Sequence, residues 1–451
     1  MTTTDDRVST GLDHPKRGLD HPKHRRGQLG PGPGAALDLE RWPDLTPPTP
    51  SLSTKVRARI ASGIFHQAVR RLPVRIHLND GRTIGGGKDG CPEMYLQHPD
   101  AFFARVGAHG LIGFGESYMA GDWDSPDVAA VLTELCREIA TLVPQWMQKL
   151  RALYVFRQPE SDTNTVQQTR GNVARHYDLS NDLFAAFLDE TLSYSSALFA
   201  GDPAAAGWSD LAAAQERKID RLLDQAQVGE GTRVLEIGTG WGELAIRAAA
   251  RGANVHSVTL SSEQQALAQE RIAAAGYADR VTVVLCDYRL VDGEYDAVLS
   301  VEMIEAVGHE FWPTYFKKID EVLAPQGIAA IQAITMPHDR MLATRQTWTW
   351  INKYIFPGGF LPSTEAIADV TRDHTTLRVN RRLSMGRHYA RTLRLWDEQF
   401  QSAHDRITEL GFDPTFERMW HLYLAYSEAG FAAGYIDVQQ ITFTRPVTEA
   451  R

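Results

Sequence analysis

From Thr232 to Ile334, short apolar runs alternate with stretches of helical period, and this rhythm limits the fold more than any other feature of the chain. Strands are expected at Thr232–Ile237, Asn254–Leu260, Val281–Cys286, Tyr295–Val301 and Ile328–Ile334, with helices at Glu243–Ala250, Ser262–Ala275 and Trp312–Leu323. Strands and helices in that alternation predict an α/β fold built on a doubly wound parallel sheet. The rhythm stops at Pro337–Pro362, an aromatic segment carrying Trp348, Trp350, Tyr354, Phe356 and Phe360. It is too long for a simple connection and reads as a helical lid insertion or substrate wall, with ordinary core packing as the alternative. Two helical patterns and a strand at Tyr435–Phe443 end the chain.

The residues before this region divide into two parts. Residues 1–50 hold eight of the 22 prolines and an imperfect repeat, Gly11 to Lys16 and again Gly18 to Lys23, with no apolar period. Such a segment buries too little surface to offset its ordering entropy and is expected to be a disordered tail. Residues 51–160 read as a small α+β domain, and 158–170 as a polar linker ahead of the sheet domain at 165–451. The small domain opens with a helix from Ser53 to Leu72, on which Val56, Ile60, Ile64, Ala68 and Leu72 recur every four residues. Lys55, Arg57, Arg59, Arg70, Arg71 and Arg75 surround that row, and residues 51–75 contain no acid. A helix of this kind suits either an anionic membrane surface or packing on its own domain with a solvated basic face. A hairpin follows at Val74–Leu78 with the turn Asn79-Asp80-Gly81, then helices at Pro99–Val106 and Asp127–Leu153.

Composition excludes several classes. With 451 residues the chain can build a core without staples. Cys91, Cys136 and Cys286 are scattered and show no C-x-x-C spacing, which speaks against disulfides and zinc and for a reducing, cytoplasmic setting. A net charge of −9 speaks against a general nucleic-acid binder. No run approaches the roughly 20 apolar residues of a membrane span, and no secretory leader is expected. The expectation is a cytoplasmic enzyme, peripheral to the membrane if the basic helix docks there.

Glu236-Ile237-Gly238-Thr239-Gly240-Trp241-Gly242 closes a strand and opens a helix, where glycines let the backbone approach a ligand. A dinucleotide fingerprint would have glycine at Glu243 and an acid at the end of the second strand, where Val258-Thr259-Leu260-Ser261 stands, so a nicotinamide enzyme is disfavoured. The acidic strand end running into three alternate glycines resembles the class I S-adenosylmethionine (SAM) methyltransferases. Further motifs follow in order: Arg175 to Phe184, Leu192-Ser193-Tyr194-Ser195, Val258 to Ser261 with Gln264, Cys286-Asp287-Tyr288-Arg289, Phe356 to Pro362, and His388-Tyr389 with Thr392-Leu393. Together they resemble the cyclopropane fatty acid synthase family over residues 165–445. Gly113 to Met119 with Gly121-Asp122-Trp123 resembles that family's N-terminal domain. Within the family the chain looks closest to the actinobacterial branch that makes tuberculostearic-type fatty acids.

The resemblance implies SAM contacts at Tyr194, Ser195, Gly238, Gly240, Leu260, Gln264, Asp287 and Tyr288, with Glu236 orienting the loop. It implies as substrate a cis double bond in an unsaturated phospholipid acyl chain, with a homodimer as the expected assembly. An alkene offers no proton to remove, so the site must align it with the methyl group, exclude water from the resulting cation, and then supply a base. The family holds bicarbonate for that step, in a pocket matched here by Ser196, Glu305, Gln332, Ile334 and Tyr389. Ser196 replaces a cysteine and Gln332 a histidine of the better-known members, which leaves both bicarbonate and Glu305 open as the base. Ring closure would give a cyclopropane. A hydride shift before proton loss would give a methylene branch, which a separate reductase would have to saturate. The altered pocket and the branch resemblance favour the methylene; a SAM- or lipid-binding subunit without turnover is the alternative of another class.

Overall fold

The computed structural model describes residues 37–138 and 180–446. The first part of the expected tail, the expected linker, the end of the helix drawn from Asp127, and Arg175–Leu179 of the first motif lie outside those residues. The last part of the tail is corrected by the structure. Leu45 is fully buried, and the Trp42 indole donates to Asp413 at 2.8 Å, so Leu37, Trp42 and Leu45 pack on the body of the protein. Leu37, Trp42 and Leu45 supply apolar surface that the proline count obscured.

A small four-stranded sheet follows, ordered β2-β1-β3-β4, from β1 (Arg75–Leu78), β2 (Thr83–Ile84), β3 (Glu93–Leu96) and β4 (Trp123–Asp124). The expected hairpin is present, with Ile76 opposite Ile84. The helix Leu52–Val69, capped by Ser51, crosses the helix Pro99–Met119. A side chain on Gly107 would meet the backbone of Ala58 at 2.8 Å, so the crossing requires glycine there. The four-residue row does not pack as one face. Leu72 is buried, whereas Val56 and Ile60 are 51% and 53% exposed and Leu52 is 81% exposed. Ala58, Phe65 and Val69 pack on the core instead. The helix Pro99–Met119 extends beyond its expected end and is broken at Gly110, which has φ 59°.

The large sheet has seven strands in the order β10-β11-β9-β8-β5-β6-β7. These are β5 (Arg233–Ile237), β6 (Asn254–Thr259), β7 (Val281–Leu285), β8 (Tyr295–Val301), β9 (Leu323–Thr335), β10 (Arg378–Ser384) and β11 (Asp437–Thr444). The pairs β7/β6, β6/β5, β5/β8 and β8/β9 are parallel, and β11 is antiparallel to both β9 and β10. One reversed strand therefore interrupts the expected parallel sheet. Chain direction through the sheet order switches at β5/β8, and the crevice beyond the carboxyl ends of those strands is where such sheets bind ligands.

Apolar clusters cover both faces of this sheet. A further cluster runs from Leu45 to Val438 and includes the small sheet, Phe184, Phe187, Trp396 and Trp420, so the N-terminal unit shares its core with the helices Gly386–Ser402 and Pro414–Ala432. Among the described residues, no helix is long and apolar enough to cross a membrane.

Candidate active site

The glycine loop leaves β5 with φ values of 96° at Gly238, 52° at Gly240 and 92° at Gly242, and Gly242 starts the helix Glu243–Ala250. Only glycine adopts such angles freely. A Cβ on Gly238 would also lie 2.6 Å from the Met303 side chain. Behind the loop Glu236 is buried, accepting from Ser257 Oγ at 2.5 Å, and Thr239 Oγ1 meets the same hydroxyl at 2.7 Å. Burial pushes the Glu236 carboxyl up to about 8, against the Ser257 hydrogen bond.

Loops after the next strands bring up the other expected cofactor residues. Leu260 follows β6, and Gln264 lies in the first turn of the helix Ser262–Ala274, its Oε1 accepting from Thr259 Oγ1 at 3.0 Å. After β7, Asp287 takes the Arg289 guanidinium through Nε at 2.9 Å and Nη2 at 2.6 Å, a pairing the sequence reading did not include. The Arg289 guanidinium carbon sits 5.6 Å from the centre of the Tyr288 ring. The Tyr288 hydroxyl is buried with no hydrogen-bond partner among the described residues. Tyr194 shares a 2.6 Å hydrogen bond with the Tyr423 hydroxyl. Ser195 Oγ accepts from the fully buried Lys218 Nζ at 2.6 Å, and burial brings that ammonium down to about 8.

The pocket expected to hold an anion is built around a protein carboxylate that the sequence reading missed. Glu302 follows β8 with φ 51°, a left-handed angle rare outside glycine. Its Oε1 accepts from the Ser196 backbone N–H at 2.9 Å and from Gln332 Nε2 at 2.8 Å, and its Oε2 from the Tyr389 hydroxyl at 2.7 Å. Gln332 is itself fixed, because its Oε1 accepts from Gln440 Nε2 at 3.1 Å and Gln440 Oε1 accepts from Arg221 at 2.5 Å. Burial raises the Glu302 carboxyl, opposed by its three hydrogen bonds and by the charge of Lys218. The serine hydroxyl takes no part, contrary to expectation, and donates to the Ala197 carbonyl at 3.0 Å.

Glu305 stands one helical turn further on. Its Oε1 accepts from the Ile334 N–H at 2.5 Å, and its Oε2 is buried without a hydrogen-bond partner among the described residues. Burial, then the neighbouring Glu302 charge, push it up to about 8. Of the five pocket residues expected, Ser196, Gln332 and Tyr389 therefore converge on Glu302, and Ile334 holds Glu305.

The aromatic segment bridges this pocket and the N-terminal unit. Phe360 N–H donates to the Glu305 carbonyl at 2.8 Å, and the Phe360 ring stacks on Trp312. Phe356 meets Tyr423 edge to face. At its other end Trp350 lies against Gly115, while Lys353 Nζ and the Tyr354 hydroxyl donate to the fully buried Glu116 at 2.6 and 3.0 Å.

Sheet order, glycine loop and strand-end loops together define a class I SAM-dependent methyltransferase. Residues 164–441 match the family described as mycolic acid cyclopropane synthetase. Tuberculostearic acid methyltransferase UfaA1 of Mycobacterium tuberculosis is 55% identical over 416 residues, covering 92% of this chain and 97% of that protein. The cyclopropane-fatty-acyl-phospholipid synthase of Escherichia coli is 33% identical over 365 residues, 79% of this chain and 88% of that one. The solved structure of mycolic acid cyclopropane synthase CmaA1, complexed with SAH and CTAB, shares 30% identity at a TM-score of 0.56, covering 64% of this chain and 99% of that chain. The chain belongs to this cyclopropane synthase family of SAM-dependent methyltransferases.

Proposed function

We propose that the protein transfers the SAM methyl group to the cis double bond of an oleoyl phospholipid and releases a 10-methylene-stearoyl chain, the precursor of a 10-methyl branch. The observation that carries this reading is the 55% identity to a tuberculostearic acid methyltransferase over nearly its whole length. SAM would be held at the glycine loop by Tyr194, Ser195, Gly238, Gly240, Leu260, Gln264, Asp287 and Tyr288, and would supply the methyl group. The sulfur–methyl bond breaks as the methyl bonds to C10, leaving a cation at C9. A hydride then moves from C10 to C9, and one methyl proton leaves to form the methylene. The dry, aromatic surroundings of Phe356, Phe360 and Tyr423 keep water from the cation in the meantime. Saturating the methylene requires a separate reductase.

The substrate is reached from a phospholipid surface. Leu52, Val56 and Ile60 form an exposed apolar row beside Lys55, Arg57 and Arg59, which suits the anionic inner face of a membrane. The test is turnover on vesicles. Oleoyl phospholipid should release S-adenosylhomocysteine and stearoyl phospholipid should not, and the product should keep one double bond that takes up hydrogen. A product that resists mild hydrogenation would identify a ring instead, and SAM binding without turnover on any unsaturated lipid would point to a non-catalytic subunit.

A further inference from the structure

We propose that Glu302 is the base that removes the methyl proton, its own carboxylate standing where the family's bicarbonate would be held. The inference rests on the methylene-transfer reading given above. A bicarbonate ion needs hydrogen-bond donors, and the pocket supplies the Ser196 N–H, the Gln332 amide and the Tyr389 hydroxyl. All three already point at Glu302, at 2.9, 2.8 and 2.7 Å. A free anion placed there would lose those donors and would lie beside two buried acids, Glu302 and Glu305. The residues present therefore do not fit bicarbonate.

They fit a fixed carboxylate well. The left-handed backbone at Glu302 turns its side chain into the donor set, and Gln332 is locked by Gln440 so that its amide, not its carbonyl, faces the acid. A histidine at position 332 could carry a second proton, whereas glutamine can only donate a hydrogen bond to an acceptor that is already present. Burial raises the Glu302 carboxyl and so makes it a stronger base than a free carboxylate, while the three donors and the charge of Lys218 oppose that shift and favour its ionised form. Glu305 is held up to about 8, so near neutral pH it is mostly protonated and adds little negative charge beside Glu302.

The step balances without an added reactant. After the hydride shift the cation is at C10. One C–H bond of the new methyl breaks, its electron pair forms the exocyclic double bond, and its proton passes to a Glu302 oxygen. The carboxyl group then returns that proton to water once the product has left. Over the cycle SAM and alkene give methylene product, S-adenosylhomocysteine and one proton.

The test compares the full chain with E302Q and E302G on oleoyl phospholipid vesicles, in buffer stripped of carbon dioxide and again with added bicarbonate. Wild-type turnover should be the same in both buffers. E302Q should keep its SAM affinity by calorimetry and lose kcat on the order of a hundredfold or more, the scale of losing a positioned base. E302G tolerates the left-handed backbone and empties the donor set, so it should be inactive in stripped buffer and regain activity as bicarbonate is added. Wild-type turnover that depends on added bicarbonate would overturn the assignment alone, as would E302Q retaining more than about a tenth of the wild-type rate. A wild type that turns over no unsaturated phospholipid in either buffer would overturn the methylene-transfer reading as well.

Discussion

Glu236 and Glu302 are both buried acids, yet only one was legible in the sequence. Glu236 stands at the end of an apolar strand, directly before alternate glycines, and that local pattern carries its meaning. Glu302 gains its meaning from Ser196, Gln332 and Tyr389, which lie 106, 30 and 87 residues away and meet only in the fold. Its neighbour Glu305 sits in the same short stretch, so residue type alone could not tell the two apart. Glu236 also makes a pH prediction. With its carboxyl at about 8, the free protein holds it protonated at pH 7. A cation such as SAM at the loop favours the charged form, so binding should release close to one proton at pH 7. Affinity should then rise by up to about tenfold per pH unit below pH 8 and level off above it. Calorimetry in buffers of differing ionisation enthalpy reads this directly. Glu236→Gln should abolish the release, and a wild type that binds SAM at pH 7 without releasing a proton would contradict the prediction.

At the level of elements, helices and central strands followed their periodicity, and the exceptions have physical causes. β10 escaped notice because it is an edge strand whose Arg378, Arg381 and Arg382 are exposed, so it shows no apolar run. Charged edges of this kind discourage pairing with other chains. β11 was foreseen as a strand, but its reversal was not, because direction is set by how Asp437–Thr444 pairs with β9 and not by its composition. The aromatic segment was foreseen as an insertion, and its anchor on the N-terminal unit was not. That anchor is Glu116, whose carboxylate takes Lys353, Tyr354 and His109. Burial opposes its charge, and His109 and Lys353 outweigh that cost and hold the carboxyl below its usual range. Removing one partner of such a buried group costs about 3 kcal/mol. Glu116→Ala should therefore lower the melting temperature and speed hydrogen exchange at Trp350–Tyr354. Unchanged exchange in that segment would show that the anchor lies elsewhere.

For the molecule as a whole, the acidic total charge hides a basic face. The chain carries a net −9, yet the helix Leu52–Val69 presents Lys55, Arg57 and Arg59 beside exposed Leu52, Val56 and Ile60. This distribution was only half legible, since the four-residue row gave a helix but not which part of it the core would cover. Reversing Arg57 and Arg59 to Glu should cut activity on anionic vesicles severalfold at low salt and spare activity on detergent-dispersed lipid. Equal loss on both substrates would assign those arginines to folding. At this scale the proposed reaction takes the acyl chain along one path, from the exposed basic helix past the aromatic segment to the buried Glu302 carboxylate. What happens at the end of that path is read most directly by supplying SAM labelled with carbon-13 in its methyl group to oleoyl phospholipid vesicles and recording the carbon spectrum of the product. The label is expected in the olefinic region, as an exocyclic methylene carbon. A label in the upfield region of cyclopropane carbons would contradict the account and place the chain with the ring-forming members of its family.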